Sequence, residues 1–398
     1  MTTPTTSEPA ELREDAPVGE TVGVEEEHHV VDRRTLALRD DPQLNSAALR
    51  GRLGDSVSAE IATTQLEIAT GVCTSLAQLR ADLGRAREQV RDAALLHDAL
   101  LLPASTHPFA RWDEQRLTLR PRYLDLVQRW GLLALQQVIC GCHVHVGVPS
   151  LDVAVAVSDR VRPYLPVLLA LTGSSPFHEG SDTGYDSYRT QWFARWPITG
   201  APEELGDAAG FHRVVEQLRA AGVVEDASHL YWDVRPSLRY PTLEFRVADV
   251  CPRLDDAVLH AALCRSLVRV LAARALAGEP VAPVRPEVLR AARWRAARHG
   301  VQDTLLDPRT GTPVPAAQAV RALLAELRED LEEAGELAEV TALAEQVLAD
   351  GTSATRQREV VLRTGDLVEV ARSVLADAGQ DTSGLVELLA VPAGRHPL

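Results

Sequence analysis

The feature that most constrains the fold is an alternation of apolar and polar side chains in four short segments. The segments are VGVEEE at 22–27, QLEI at 65–68, CHVHVGV at 142–148 and LEFRV at 243–247. Side chains on a β-strand point to opposite faces in turn, so residues two apart share a face. Each segment would therefore have one apolar face for a core and one polar face. An antiparallel sheet with a single packed face accommodates this pattern.

The polar faces of these segments carry a chemically distinctive set of side chains. They comprise Glu25 and Glu27, Gln65 and Glu67, His143 and His145, and Glu244 and Arg246. Solvated faces of half-exposed strands would explain any one segment, but clustered glutamates repel one another by about 1 kcal/mol per close pair even in water. A bound Mg²⁺ or Mn²⁺ removes that repulsion, and an oxygen-rich site with few imidazoles suits these ions. The spacing does not show whether the segments are neighbours in the sheet.

Zinc is an alternative metal, because Cys140, Cys142, His143 and His145 lie within six residues. Strand alternation, however, points Cys142 away from both histidines, and the chain has no C-x-x-C pair. The odd total of five cysteines does not indicate a disulfide framework. Reduced cysteines are typical of a cytoplasmic protein, and we expect that location for this chain.

The chain contains no lysine, so all 41 residues counted as Lys or Arg are arginines. Schiff-base chemistry and phosphate-loop lysines are thereby excluded. Any phosphate must be held by arginine, histidine, backbone amides or metal ions. The net charge of −15 opposes nonspecific binding to nucleic acid and to anionic membranes. No window approaches 18 uninterrupted apolar residues, so we expect no membrane span.

The rest of the pattern predicts one continuous α/β or α+β domain. Residues 1–17 are rich in Thr, Pro and Glu and predict a disordered tail before a single domain over 18–398. Helical spacing of apolar residues predicts helices at 76–102, 122–139, 152–172, 203–221 and 255–277. Beyond Pro286 the chain is almost wholly helical in pattern, and these helices could form a packing layer, a homodimer surface or both. The polar stretch at 173–197 lacks periodicity and is interpreted as part of a cover over the site.

Six motifs occur in an order that resembles a known family. They are GVEEE at 23–27, QLEIAT at 65–70, THPF at 106–109, GCHVHVG at 141–147, DVRPS at 233–237 and LEFRVAD at 243–249. Each motif alone has little specificity. Together they are similar to the glutamate–cysteine ligase type 2 family, also called the carboxylate–amine ligase family, within the glutamine synthetase-like superfamily. The resemblance covers roughly residues 18–380.

The resemblance implies the α+β class, with a curved antiparallel sheet, covered by helices, that holds ATP and Mg²⁺ or Mn²⁺ against an amino-acid carboxylate. The implied metal ligands are Glu25, Glu27, Glu67, His143 and Glu244, with Glu60 as a further candidate. His145 and Arg246 match residues beside the transferred phosphate, so they are the implied catalytic and nucleotide contacts. Arg235 is a further catalytic candidate and Arg189 a further nucleotide contact, although a surface salt bridge would explain either equally well.

The implied reaction is ATP-dependent amide formation through an acyl phosphate, with γ-glutamylcysteine made from glutamate and cysteine. Metal ions and arginines would neutralise the repulsion between the carboxylate and ATP. Small molecules are the expected partners. Two alternatives stay open. One is another metal-dependent enzyme on the same sheet, such as a phosphotransferase or an amide hydrolase. The other is a catalytically silent binding protein, which the intact set of Glu, His and Arg disfavours.

Overall fold

A seven-stranded antiparallel sheet organises the computed structural model, which describes residues 17–41, 44, 56–382 and 391–394. The strands are β1 Val22–Asp32, β2 Val57–Ala59, β3 Gln65–Ala69, β4 Ala99–Leu102, β5 Gly141–Gly147, β6 Phe177–His178, β7 Ser181–Asp182, β8 Thr199–Gly200, β9 Tyr231–Trp232, β10 Val234–Pro236, β11 Thr242–Asp249, β12 Thr304–Leu306 and β13 Pro313–Pro315. The large sheet has the order β10-β11-β5-β1-β3-β2, and β4 also pairs with β1. The four alternating segments lie in β11, β5, β1 and β3, which are consecutive, so the predicted α+β class and antiparallel sheet are confirmed.

Helices pack around this sheet and follow most of the predicted pattern. They are α1 Leu76–Leu95, α2 Pro121–Trp130, α3 Leu132–Leu135, α4 Leu151–Val161, α5 Leu165–Leu171, α6 Tyr188–Phe193, α7 Ala208–Ala220, α8 Leu254–Leu276, α9 Pro286–His299, α10 Ala316–Glu326, α11 Arg328–Glu333, α12 Leu337–Asp350, α13 Ser353–Thr364 and α14 Leu367–Asp377. The helix predicted at 122–139 is interrupted at Gly131, whose φ of 57° is left-handed. The helix predicted at 152–172 is divided by a 3-10 turn at Arg162–Tyr164, and the one predicted at 203–221 begins only at Ala208.

The helix predicted at 76–102 was wrong at its end. It stops at Leu95, and the chain turns through Asp98 before β4, which pairs with the last residues of β1. All four residues of β4 are buried. A short, continuous apolar run is buried in the same way in a strand or in a helix, so periodicity alone could not separate the two.

The two faces of the sheet differ as the alternation predicts. One face contributes to the main hydrophobic core, through Val22 and Val24 of β1, Cys142, Val144 and Val146 of β5, and Leu243 and Phe245 of β11. Helices α8, α5 and α4 contact this side of the sheet. Glu26 also points to this side, where it is fully buried and pairs with Arg87 of α1 through two contacts of 2.7 and 2.8 Å.

The helices beyond Pro286 form a packing layer. Ala296, Val320 and Val340 belong to the main core, and Val368 of α14 packs in a second cluster with Leu100 of β4. Their use as a homodimer surface stays a prediction, as does the division into a tail and one domain, because residues 1–16 lie outside the described part of the chain. Among the residues described, none of the helices combines the length and apolar character needed to span a membrane.

Candidate active site

Cross-strand pairing aligns the polar residues of the four central strands. Glu25 is paired with His143, Glu27 with Glu67, and Glu244 with His145. Directly opposed residues on one face of a sheet are close enough to interact. The four polar faces that the sequence left unconnected are therefore one continuous surface.

This surface borders a cavity of about 450 Å³. All eight polar residues singled out from the alternation line it, together with Arg189 and Arg235. Five glutamates and six arginines contribute to its walls: Glu25, Glu27, Glu60, Glu67, Glu244, Arg120, Arg122, Arg189, Arg235, Arg239 and Arg246. The cavity thus offers acidic groups for cations beside guanidinium groups for anions.

The most crowded acidic group contains Glu27, Glu60 and Glu67. Ser58 Oγ donates a hydrogen bond of 2.9 Å to Glu67 Oε1, and the backbone N–H of Gly141 donates one of 2.7 Å to Glu27 Oε2. Burial, and then repulsion from neighbouring glutamates, raises the pKa of Glu67 well above its ordinary value. Burial and the charge of Glu27 raise the pKa of Glu60 to about 8. Both shifts indicate carboxylates whose burial and mutual repulsion outweigh the nearby positive charge.

Two overlapping sets of side chains could hold divalent cations. Glu27, Glu67 and His143 form one set, and Glu25, His143 and Glu244 form the other; within each set the ligand atoms lie within 4.8 Å of one another. Nε2 of His143 is buried without a hydrogen-bond partner in the described structure. This donor set is rich in oxygen and has one shared imidazole, so it fits Mg²⁺ or Mn²⁺.

The zinc alternative has no geometric support. Cys142 lies in the hydrophobic core on the other face of β5. Cys140 is buried beside Gln65, whose Nε2 is 3.5 Å from Sγ. Among the described residues, the sets of side chains close enough to share a metal ion contain no cysteine.

Glu25 lies between the two histidines of β5. Its Oε2 is 3.8 Å from Nδ1 of His143 and 3.5 Å from Nε2 of His145. Nδ1 of His145 is 2.9 Å from Oγ1 of Thr242, which orients the ring. Burial opposes the charge on Glu25, but the two nearby histidines outweigh it and hold the pKa of Glu25 below its ordinary value.

Glu244 is held by two of the predicted arginines. Arg235 donates to both of its oxygens, at 2.7 and 3.2 Å, and Arg246 donates from Nη1 to Oε1. Burial would raise the pKa of Glu244, but these positive charges hold it well below the ordinary value. Arg235 also donates to two backbone carbonyls, so most of its donors are engaged. Arg246 keeps its Nε buried without a partner in the described structure.

Arg189 comes from outside the sheet, in the segment at 173–197. Its guanidinium lies against Gly141 and donates from Nη2 to the carbonyl of Arg246 at 3.3 Å. Most of the segment is buried or half-buried rather than a loop on the surface, and its Phe193 and Trp196 also line the cavity. Movement of this segment as a cover stays a prediction.

Comparison with known proteins places the chain in a family. Glutamate-cysteine ligase family 2 (GCS2) matches residues 21–374. The chain belongs to this family. A relative from Frankia alni, provisionally named glutamate–cysteine ligase 2-2, is 42% identical over 371 residues, which cover 90% of this chain and 96% of the relative.

Another member of the family comes from Rhodopirellula baltica and is provisionally named glutamate–cysteine ligase 2. It is 36% identical over 362 residues, covering 90% of this chain and 96% of the relative. Among solved structures, a glutamate–cysteine ligase from Francisella tularensis in complex with AMP superposes with a TM-score of 0.66. It covers 92% of this chain and 90% of that one at 13% identity, so this likeness shows a shared fold.

For this family member, reasoning from the sequence missed much of the cavity wall. Arg120, Arg122 and Tyr123 come from the start of α2, and Arg239 and Tyr240 come from the turn between β10 and β11. Tyr231 lies beneath Arg246, with the guanidinium carbon 5.9 Å from the ring centroid. No strand alternation marks these residues. The arginine pair around Pro121, at the start of a helix, was a local signal for Arg120 and Arg122.

Proposed function

We propose that this chain is an ATP-dependent ligase that joins a carboxylate to an amine, with glutamate and cysteine as substrates. The observation that carries the proposal is the cavity in which Glu27, Glu67 and His143 lie beside Arg189 and Arg246. The names of the relatives in the family support the substrate pair, and the AMP complex of the Francisella tularensis protein supports use of an adenine nucleotide.

The arginines would reduce the electrostatic repulsion in this reaction, in which a carboxylate must approach the anionic γ-phosphate of ATP. Arg246 and Arg189 each present a buried Nε without a partner in the described structure. Preorganised donors of this kind neutralise phosphate oxygens, Arg189 on the bound nucleotide and Arg246 also on the transferring phosphoryl group. Arg235 acts differently, because it fixes Glu244 and thereby the position of Arg246.

The acidic sets would hold the metal ions. Mg²⁺ or Mn²⁺, bound by Glu27, Glu67 and His143 and by Glu25 with Glu244, would supply charge neutralisation for the nucleotide phosphates. Thr242 orients the ring of His145 beside Glu25, where its Nε2 can donate to an anionic oxygen. Glu60 lies next to Glu27 as a further oxygen donor.

The chemistry needs no nucleophile from the protein. The carboxylate oxygen attacks the γ-phosphorus and ADP leaves, which gives an acyl phosphate. The amine nitrogen then attacks the acyl carbon, phosphate leaves, and the amine loses a proton. Because an acyl phosphate reacts readily with water, the site has to exclude solvent. Phe193 and Trp196 of the 173–197 segment supply apolar wall for that purpose.

A coupled assay of ADP release tests the proposal. With Mg²⁺, release should require the acyl donor and the amine together, and mass spectrometry should find one amide formed per ADP. Replacement of the amine by hydroxylamine should trap the acyl phosphate as a hydroxamate. ADP release without amide would favour a phosphotransferase, and no turnover with any acid and amine in a screen would favour a silent binding protein.

A further inference from the structure

Asp249, the last residue of β11, has a fully buried carboxylate outside the sets described above. Oδ2 accepts a hydrogen bond from the N–H of Ser174 at 2.9 Å and one from Oγ of Ser175 at 2.6 Å. Oδ1 accepts one from Oγ of Ser187 at 2.7 Å. A buried charge is costly unless donors surround it, so these three bonds specify the conformation around Asp249.

All three donors belong to the segment that carries Arg189. Oγ of Ser175 accepts the backbone N–H of Arg189 at 3.0 Å. Ser187 caps α6, because its Oγ accepts the N–H of Thr190 at 3.3 Å. The carboxylate of Asp249 therefore fixes Ser187, the residue just before α6, and also the hydroxyl of Ser175, which accepts the backbone N–H of Arg189.

The side chain of Arg189 continues this link to the cavity. Nη2 donates to the carbonyl of Arg246, which lies three residues before Asp249 on β11. The guanidinium fits against β5 only because residue 141 is glycine, since a Cβ there would overlap it. Arg189 is thus attached to β11 at two points: through Asp249 at its backbone and through Arg246 at its guanidinium.

We propose that Asp249 is a positioning residue that, through Ser175 and Ser187, holds Arg189 in place as an anion contact of the cavity. The anion is the nucleotide phosphate, and this identity rests on the proposed function. The placement of Arg189 by Asp249 does not depend on the proposed function. Asp249 does not touch the cavity and acts on its ligand only through Arg189.

A purely structural role for Asp249 is the competing explanation, and Asp159 provides a matched control. Asp159 is also buried, and its carboxylate accepts the N–H groups of Leu205 and Gly206 at 2.8 Å each. It therefore ties a loop to α4 as Asp249 ties a segment to β11, but neither Leu205 nor Gly206 lines the cavity, whereas Arg189 does.

The first test is hydrogen exchange and is independent of activity. Asp249→Asn should speed exchange of the amides at 187–193 by about tenfold relative to wild type, because at least one of the charge-assisted bonds is lost. Asp159→Asn should leave those amides unchanged. Equal protection of the amides at 187–193 from exchange in Asp249→Asn and Asp159→Asn would overturn the proposal. If Asp249→Asn does not fold, Ser175→Ala replaces it, with the same expectation.

The second test is a double-mutant cycle on the KM for ATP. Arg189→Ala and Asp249→Asn should each raise KM about tenfold with a smaller change in kcat, while Asp159→Asn should not. The double variant should resemble Arg189→Ala alone, because Asp249 acts through that side chain. A fold-increase in KM for the double variant equal to the product of the two single fold-increases would refute the proposal. Absence of any turnover in wild type would refute the proposed function, and the exchange test would still decide the positioning role.

Discussion

Glu25 and His143 face each other across β1 and β5, with Oε2 of the carboxylate 3.8 Å from Nδ1 of the imidazole. The same imidazole belongs to the second acidic set, with Glu27 and Glu67. His143 is therefore the point where the two candidate metal sets meet.

Glu25→Gln should lower kcat/KM more than about 100-fold, because it removes a negative ligand from the polar surface while keeping the side-chain shape. The adjacent Glu26 is a matched control, since it points to the other face and pairs with Arg87. Glu26→Gln should reduce stability but leave the activity of the folded fraction near that of wild type. Steady-state ADP release and thermal unfolding measure the two effects, and wild-type activity in Glu25→Gln would contradict the metal assignment.

Glu67→Gln should change stability in opposite directions with and without metal. In EDTA it relieves repulsion within the acidic group and should raise the free energy of unfolding by on the order of 1 kcal/mol. In Mn²⁺ wild type should be the more stable form, because an ion at 100 times its Kd contributes about 2.7 kcal/mol.

Glu225→Gln is the control for metal binding elsewhere. Asp125, Glu225 and His229 also place potential ligand atoms within 4.8 Å of one another, outside the acidic sets of the cavity. Thermal unfolding in EDTA and in Mn²⁺ should show that Mn²⁺ stabilises Glu225→Gln as much as it stabilises wild type. If Mn²⁺ no longer stabilised Glu225→Gln but still stabilised Glu67→Gln, the ion would bind at the Asp125 set and not in the cavity.

The Glu26–Arg87 pair should make stability depend on acid pH. Burial opposes the charge on Glu26, but Arg87 outweighs it and lowers the pKa of Glu26 from about 4.5 to about 2. A lowered pKa in the folded state gives stability that is present above pH 4.5 and is lost as the pH falls towards 2. The shift corresponds to on the order of 3 kcal/mol. Denaturant unfolding should therefore show that the difference in free energy of unfolding between wild type and Glu26→Gln narrows as the pH falls between these values. A constant difference would contradict the pairing of Glu26 with Arg87.

Gly141→Ala should weaken nucleotide binding, because the added Cβ overlaps the guanidinium of Arg189. Loss of one charge-assisted contact predicts a rise in KM for ATP of about tenfold. Gly84→Ala is the control: it lies in α1, where a Cβ would meet Leu254 at an ordinary 3.5 Å. That variant should be about 0.5–1 kcal/mol more stable, with unchanged KM. An unchanged KM in Gly141→Ala would show that Arg189 does not serve the nucleotide.

The sequence identified the side chains of the sheet surface because their placement depends on a local rule. A period of two separates Glu25 from Glu26 and His143 from Cys142 whatever the rest of the chain does. The same rule failed at β4, where four buried residues in succession carry no alternation. It also gave no reason to connect Asp249 with Arg189, which are far apart in sequence and meet through two serines.

The sequence by itself determined which residues share a face of each strand, and its motifs indicated the family. Only the tertiary structure decided which strands are neighbours, that Glu244 is held by Arg235 and Arg246, and that arginines from α2 and the β10–β11 turn line the cavity. The physical reason is that the face of a side chain follows from backbone geometry within a few residues, whereas cavity walls form where distant elements pack together.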